Sequence, residues 1–247
     1  LKKLICFLIL SLALSALCIQ EKESIAWKIF TNECGKKKEA LTTWNLLEEF
    51  PSFGLGHFIW LPEGVNVPFE EKFPKFIEFL KTKDVKIDLE LLKSAKAPWK
   101  SRDAFLKEMH LKNMNDLRDF LASTFTYQMD FILEEFEVEI IKMKQQKDTH
   151  FLKKLDLLKS EKNGYYALID YCNFKGSGLN VAERYNTQGW GLLQVIEAMP
   201  YPTQNPLQDF VKSADLLLQK RVENSPKNRD EQRYLKGWQS RLKTYLN

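Results

Sequence analysis

Glu33 is the residue of this sequence best suited by its surroundings to acid–base chemistry. It lies near the end of the segment Ser24-Ile-Ala-Trp-Lys-Ile-Phe-Thr-Asn-Glu-Cys-Gly35, in which Ser24 suits a helix N-cap and Gly35 the position just past a helix end. Ile25, Ile29 and Glu33 are spaced by four, so the carboxyl shares a helix face with two apolar side chains. Partial desolvation and the negative end of the helix dipole then both disfavour its charged form. A carboxyl kept protonated near neutrality is what a general acid must be to give a proton to a glycosidic oxygen. The alternative is an ordinary helix-end glutamate paired with one of Lys36 to Lys38. Downstream come Thr42 and Thr43, then Glu48 and Glu49, then the turn Gly54-Leu-Gly-His57, which brings a histidine 24 residues after Glu33. The sequence assigns His57 to buttressing that turn by hydrogen bonds rather than to acting as a base.

From Ser24 to Trp60 this arrangement resembles the phage-type lysozyme pattern, in which a glutamate closing the first helix precedes a Gly-x-Gly-His segment, with a threonine between them. The resemblance implies that Glu33 is the general acid. Thr42 or Thr43 would position a water or the sugar, and Gly54, Gly56 and His57 would shape the cleft floor. An aspartate often lies between the glutamate and the threonine in that family. Here only Glu39 does, and Glu48 is the nearest substitute for a second catalytic carboxylate. A lytic transglycosylase would need none, because a hydroxyl of its own sugar closes the ring.

A second stretch, Gly189-Trp-Gly-Leu-Leu-Gln194, is similar to the Gly-Leu-Met-Gln box of lytic transglycosylases, where the glutamine faces the saccharide. Its structural alternative is a tight turn entering a core helix. Tyr165, Tyr166, Tyr171, Asn173, Tyr185, Asn186, Trp190 and Gln194 gather rings and amides around it, a mixture that suits pyranose faces and hydroxyls. Trp60, Asn173, Tyr185, Trp190 and Gln194 are therefore the expected substrate-binding residues. The segments Gly-x-Gly-His-Phe-Ile-Trp and Gln-Gly-Trp-Gly-Leu-Leu-Gln also resemble recurring segments of uncharacterised exported bacterial proteins, a likeness that supplies no activity.

The elements that must hold these residues read as mainly α, with α+β as the variant: a lysozyme-like helical domain with a long central helix and irregular or small hairpin segments. Leu117, Leu121, Phe125, Met129, Ile132, Phe136, Ile140 and Met143 step by three or four, which predicts one helix about 40 Å long. Further helices are expected after Asn205-Pro206, stopping at Asn224-Ser225-Pro226, and from about Asn228. Others are expected after Ser101 and around Phe73 to Leu80. Pro51 to Pro68 and Asn173 to Trp190 read as irregular. The Lys81 to Lys100 stretch is the expected hinge if residues 19–247 form two lobes, 19–95 and 96–247.

With 247 residues, 44% of them hydrophobic, the chain can bury a substantial core, so disorder is excluded. The net charge of +4 comes from interleaved charges rather than a basic stripe, which argues against a nucleic-acid partner. Lys2 and Lys3, the apolar run Leu4 to Leu14 and the small residues Ala13, Ser15 and Ala16 have the layout of a secretory signal over residues 1–18. Export to the periplasm or medium follows as an expectation. The run is too short for a stable membrane span, and Leu17 disfavours lipid attachment at Cys18. Cys34 and Cys172 are either a disulfide or two buried thiols.

Cys34 and Cys172, the two cysteines beyond the expected leader, and the scattered His57, His110 and His150 give no metal-ligand spacing, and no cofactor is expected. Lys175-Gly-Ser-Gly lacks the features of a phosphate loop. No serine motif, and no histidine at a suggestive position beside a cysteine, points to acyl hydrolysis. The leading expectation is a glycan-cleaving protein acting on peptidoglycan or a similar β-1,4 amino-sugar polymer. The alternative is an exported, non-catalytic glycan- or protein-binding protein.

Overall fold

The computed structural model describes Leu17 to Asn247, so the expected leader lies outside the described residues except for Leu17 and Cys18. The architecture is mainly α with one three-stranded sheet of two-residue strands. The chain divides into two compact units, one ending at Ile132 and the other running from Leu133 to Asn247.

In the first unit, α1 (Ile19–Cys34) starts earlier than Ser24. The Cys18 backbone N–H donates to Glu21 Oε2 at 2.8 Å, so an acidic side chain reaching back sets the start. The helix ends where expected, at Gly35, with φ 55°. A short 3₁₀ segment, Lys38–Leu41, leads into β1 (Thr42–Thr43). Next comes the hairpin of β2 (Ser52–Phe53) and β3 (Phe58–Ile59), in antiparallel order β1-β2-β3 with Thr42 opposite Phe53 and Phe53 opposite Phe58. The helices α2 (Phe73–Thr82), α3 (Arg102–Glu108) and α4 (Lys112–Ser123) follow. Ser101 caps α3 by accepting from the Ala104 N–H at 3.2 Å, as its residue type predicts. Phe53, Trp60, Phe73, Trp99 and Phe105 form the aromatic centre of this unit, in tilted, edge-on and stacked pairs 4.8 to 6.3 Å apart.

Two expectations are corrected here. The Lys81 to Lys100 stretch is not where the units divide. It is pinned into the first unit by the Ala97 N–H on Leu61 O at 3.0 Å, by Trp60 Nε1 on Ala95 O at 3.3 Å and by buried Trp99. The long central helix is also two helices, α4 and α5 (Phe125–Lys144), separated at Thr124. The buried Thr124 hydroxyl donates to Phe120 O at 3.0 Å, and Gln128 Nε2 donates to Leu121 O at 2.6 Å. The Thr124 hydroxyl also reaches Leu121 O at 3.3 Å, so two side chains occupy the carbonyl that the Phe125 N–H would use in an unbroken ladder, the kind of competition that bends or ends a helix. Apolar periodicity crosses such a break unaltered.

The second unit holds the rest of α5 together with α6 (Thr149–Ser160), α7 (Gly164–Lys175), α8 (Leu192–Ala198), α9 (Pro206–Asn224) and α10 (Gln232–Lys243). The helix after Asn205-Pro206 has the predicted bounds. At the heart of this unit fully buried Asp170 takes two 2.8 Å hydrogen bonds from Arg241 and one of 2.6 Å from the Tyr245 hydroxyl. Asp148 caps α6 by accepting from the Phe151 N–H at 2.9 Å. Among the described residues no helix is long and apolar enough to cross a membrane.

Candidate active site

The last turn of α1, the 3₁₀ segment and the β2–β3 turn converge on one cluster in the first unit. Gly54 to His57 form the four-residue connection of the hairpin, closed by the His57 N–H on Gly54 O at 3.2 Å. Gly54 has φ 74°, and a Cβ there would collide with Gln128 Oε1. Gln128 is fully buried and uses that oxygen to accept the Leu55 N–H at 2.6 Å. Glycine is thus required by both backbone angle and close approach. His57 itself adopts φ 47°, a left-handed conformation that costs energy in a non-glycine residue and is tolerated better by His and Asn than by most. The turn aims the imidazole back at the end of α1.

There His57 Nδ1 is 3.3 Å from Glu33 Oε2, with side-chain exposures of 22% and 13%. Nε2 lies 3.2 Å from Ala40 O and 3.6 Å from Cys34 Sγ. The two ends of the Glu33-to-His57 spacing therefore meet in space, on a carboxyl that is mostly covered.

Cys34 is what sequence reasoning missed. Glu33, His57 and Cys34 have the connectivity of a thiol triad, carboxylate to Nδ1 and Nε2 to sulfur. The environment, however, works against a nucleophile. The thiol is 3% exposed at a helix C-terminus, facing the carbonyls of Ala40 and Gly54 at 3.6 and 3.9 Å. Burial first, and then the neighbouring Glu33 charge, push its pKa up to about 12. Reactive thiols sit in electropositive, partly open surroundings instead. Cys34 and Cys172 are buried thiols, not a disulfide.

Several expected contact residues have other work. Thr42 is 1% exposed, and its hydroxyl accepts from Arg118 Nε at 2.8 Å, so it is unavailable to orient a water. Arg118 also donates to Met109 O at 2.7 Å. Burial lowers its pKa, opposed by the charge of Glu39. Trp60 is 1% exposed among Phe53, Phe73 and Trp99 and cannot offer a face to a sugar. Glu48 is half-buried midway along the β1–β2 connection, where Oε2 accepts from Asn45 Nδ2 at 3.0 Å.

The remaining four belong to the second unit. Asn173 is inside α7, which extends the helix into the stretch expected to be irregular. Trp190 is buried, with the Arg221 guanidinium 4.3 Å from its ring centre and the Tyr185 ring 4.6 Å away. The Tyr185 hydroxyl donates to Glu231 at 2.9 Å. Gln194 accepts the Gly191 N–H at 3.0 Å and donates to Gly178 O at 2.9 Å, tying two loops together. A Cβ on Gly191 would strike the Gly178 backbone. The Gly-Leu-Leu-Gln segment is therefore a tight turn entering a core helix, its carboxamide occupied by backbone on both sides.

The fold and cluster define a mainly α protein with a covered Glu–His pair in its first unit. No protein-family model matches the chain, and neither curated proteins nor solved structures give a match.

Proposed function

We propose that this is an exported, lysozyme-like protein that cleaves peptidoglycan or a similar β-1,4-linked amino-sugar polymer with Glu33 as general acid. The observation that carries the reading is the 3.3 Å approach of His57 Nδ1 to Glu33 Oε2, which joins the two halves of the sequence resemblance at one carboxyl. Export rests on Lys2, Lys3 and the apolar run that follows.

In this reading Glu33 gives its proton to the glycosidic oxygen as the C1–O bond breaks, both electrons of that bond staying on oxygen. A water, or a hydroxyl of the same sugar, then bonds to C1 and returns its proton to the site. Glu48 is the carboxylate offered for the water route. The burial of Trp60 and Trp190 removes them as sugar platforms, so the reading rests on the acid and not on the aromatic residues.

Mass spectrometry of peptidoglycan incubated with the full protein tests it. A reducing product indicates hydrolysis, an anhydro product transglycosylation, and Glu33→Gln should lower either by about 10²- to 10⁴-fold. Intact wall from the wild-type protein rejects cleavage, and saturable wall binding without fragments would instead describe a glycan-binding protein.

A further inference from the structure

We infer that Glu33 and His57 act as a single acid, holding one transferable proton between Oε2 and Nδ1. This deepens the glycan-cleaving reading and depends on it for its chemical use, while its geometry stands alone. The His57 ring meets an acceptor at each nitrogen: Ala40 O lies 3.2 Å from Nε2, and Glu33 Oε2 lies 3.3 Å from Nδ1. A carbonyl only accepts, so Nε2 must carry a proton to face it.

The other tautomer would set the bare Nε2 lone pair against that carbonyl, with only the thiol of Cys34, 3.6 Å away, to supply a hydrogen. A thiol is a weak donor, and this one has its own acceptors in the carbonyls of Ala40 and Gly54. With Nε2–H fixed, a neutral ring turns the Nδ1 lone pair towards Glu33. Two acceptors facing each other need a proton between them, resting either on the carboxyl or on the ring. Both placements have the same proton count. The 3.3 Å separation is longer than a tight charged hydrogen bond, so the proton rests on one atom or the other at a given moment.

The groups facing the ring are Glu33 and the Cys34 thiol from α1 and the Ala40 carbonyl from the 3₁₀ segment; the hairpin adds the Gly54 carbonyl against the thiol. When the proton passes from Glu33 to a glycosidic oxygen, a neutral ring and a carboxylate are left, lone pair against lone pair. The proton released by the incoming water or sugar hydroxyl restores the pair, so the site returns to its starting charge. His57 is thus a positioning residue that keeps a covered carboxyl supplied with its proton.

The test is two-bond ¹H–¹⁵N NMR of the histidine rings in the full chain near neutral pH, with His57 assigned against His110 and His150 by loss of its signals in His57→Asn. We expect a protonated Nε2 and an Nδ1 shift between the bare and protonated extremes. Glu33→Gln should move Nδ1 fully to the bare position, since the amide can donate an N–H but cannot give up a proton. Cys34→Ala and Cys34→Ser should leave the Nε2 proton in place, and the backbone amide spectrum verifies the fold of each variant. A bare Nε2 in the wild-type protein, an Nδ1 shift indifferent to Glu33→Gln, or a proton displaced from Nε2 by both Cys34 variants overturns the inference. A protein with the shared proton that releases no glycan fragment keeps the pair and rejects the glycan reading; one that cleaves glycan with a bare Nε2 does the reverse.

Discussion

Glu33 and His57 meet because three backbone features agree: a helix ending at Gly35, a hairpin turn at Gly54, and a left-handed backbone at His57. Asn tolerates that backbone conformation, so His57→Asn should keep thermal stability within about 1 kcal/mol of wild type while removing the partner of Glu33. A large fall in melting temperature would mean that the ring is chiefly a structural prop. Gly54→Ala should be costlier, since it adds a strained φ to a collision with Gln128; a loss of about 1–3 kcal/mol in urea unfolding is expected. At Gln194 the expected effect is on stability alone. Gln194→Leu leaves the Gly191 N–H and Gly178 carbonyl without their partner and should cost about 1–3 kcal/mol, with glycan release unchanged once the fold is allowed for.

Helices announced themselves wherever capping and apolar spacing agreed, as with α9 behind Asn205-Pro206 and α3 behind Ser101. The break at Thr124 did not, because its cause lies in which carbonyls Thr124 and Gln128 engage once both are buried. A similar tertiary choice links α9 to the start of α10. Glu231, 4% exposed, receives Arg221 Nε at 2.7 Å and the Tyr185 hydroxyl at 2.9 Å. Burial favours its neutral form, but the hydrogen bonds and charge of Arg221, then Tyr185 and Arg229, outweigh that and hold its carboxyl below the usual range. A carboxyl depressed on folding contributes its full stability above the ordinary glutamate value of about 4.3. That contribution is lost as pH falls from there through the lower, folded value. Melting temperature should therefore drop on acidification below about pH 4, and Glu231→Gln should flatten that limb while costing about 3–5 kcal/mol at pH 7 by leaving Arg221 without its carboxylate.

For the molecule as a whole, the proposed export and the proposed reaction belong together, because the polymer lies outside the cytoplasm. Fractionation of bacteria expressing the chain should recover it from the periplasm or medium without the Lys2 to Leu14 run; protein confined to the cytoplasm with that run retained would count against the assignment. What the sequence determined alone is the class of fold, most helix positions, and the placing of a glutamate at a helix end and of a histidine in a glycine turn; that the two meet was decided by the tertiary structure. The first three follow from periodicity, caps and glycine chemistry, all of which act over a few residues. Only the tertiary structure decided that Cys34 joins Glu33 at His57, that Thr42 belongs to Arg118, that Gln194 clamps two loops, and that Trp60 and Trp190 are core. Polar and aromatic side chains suit a binding surface and an interior equally well. Which one they enter depends on the partners that distant segments bring, and a linear spacing carries no record of those.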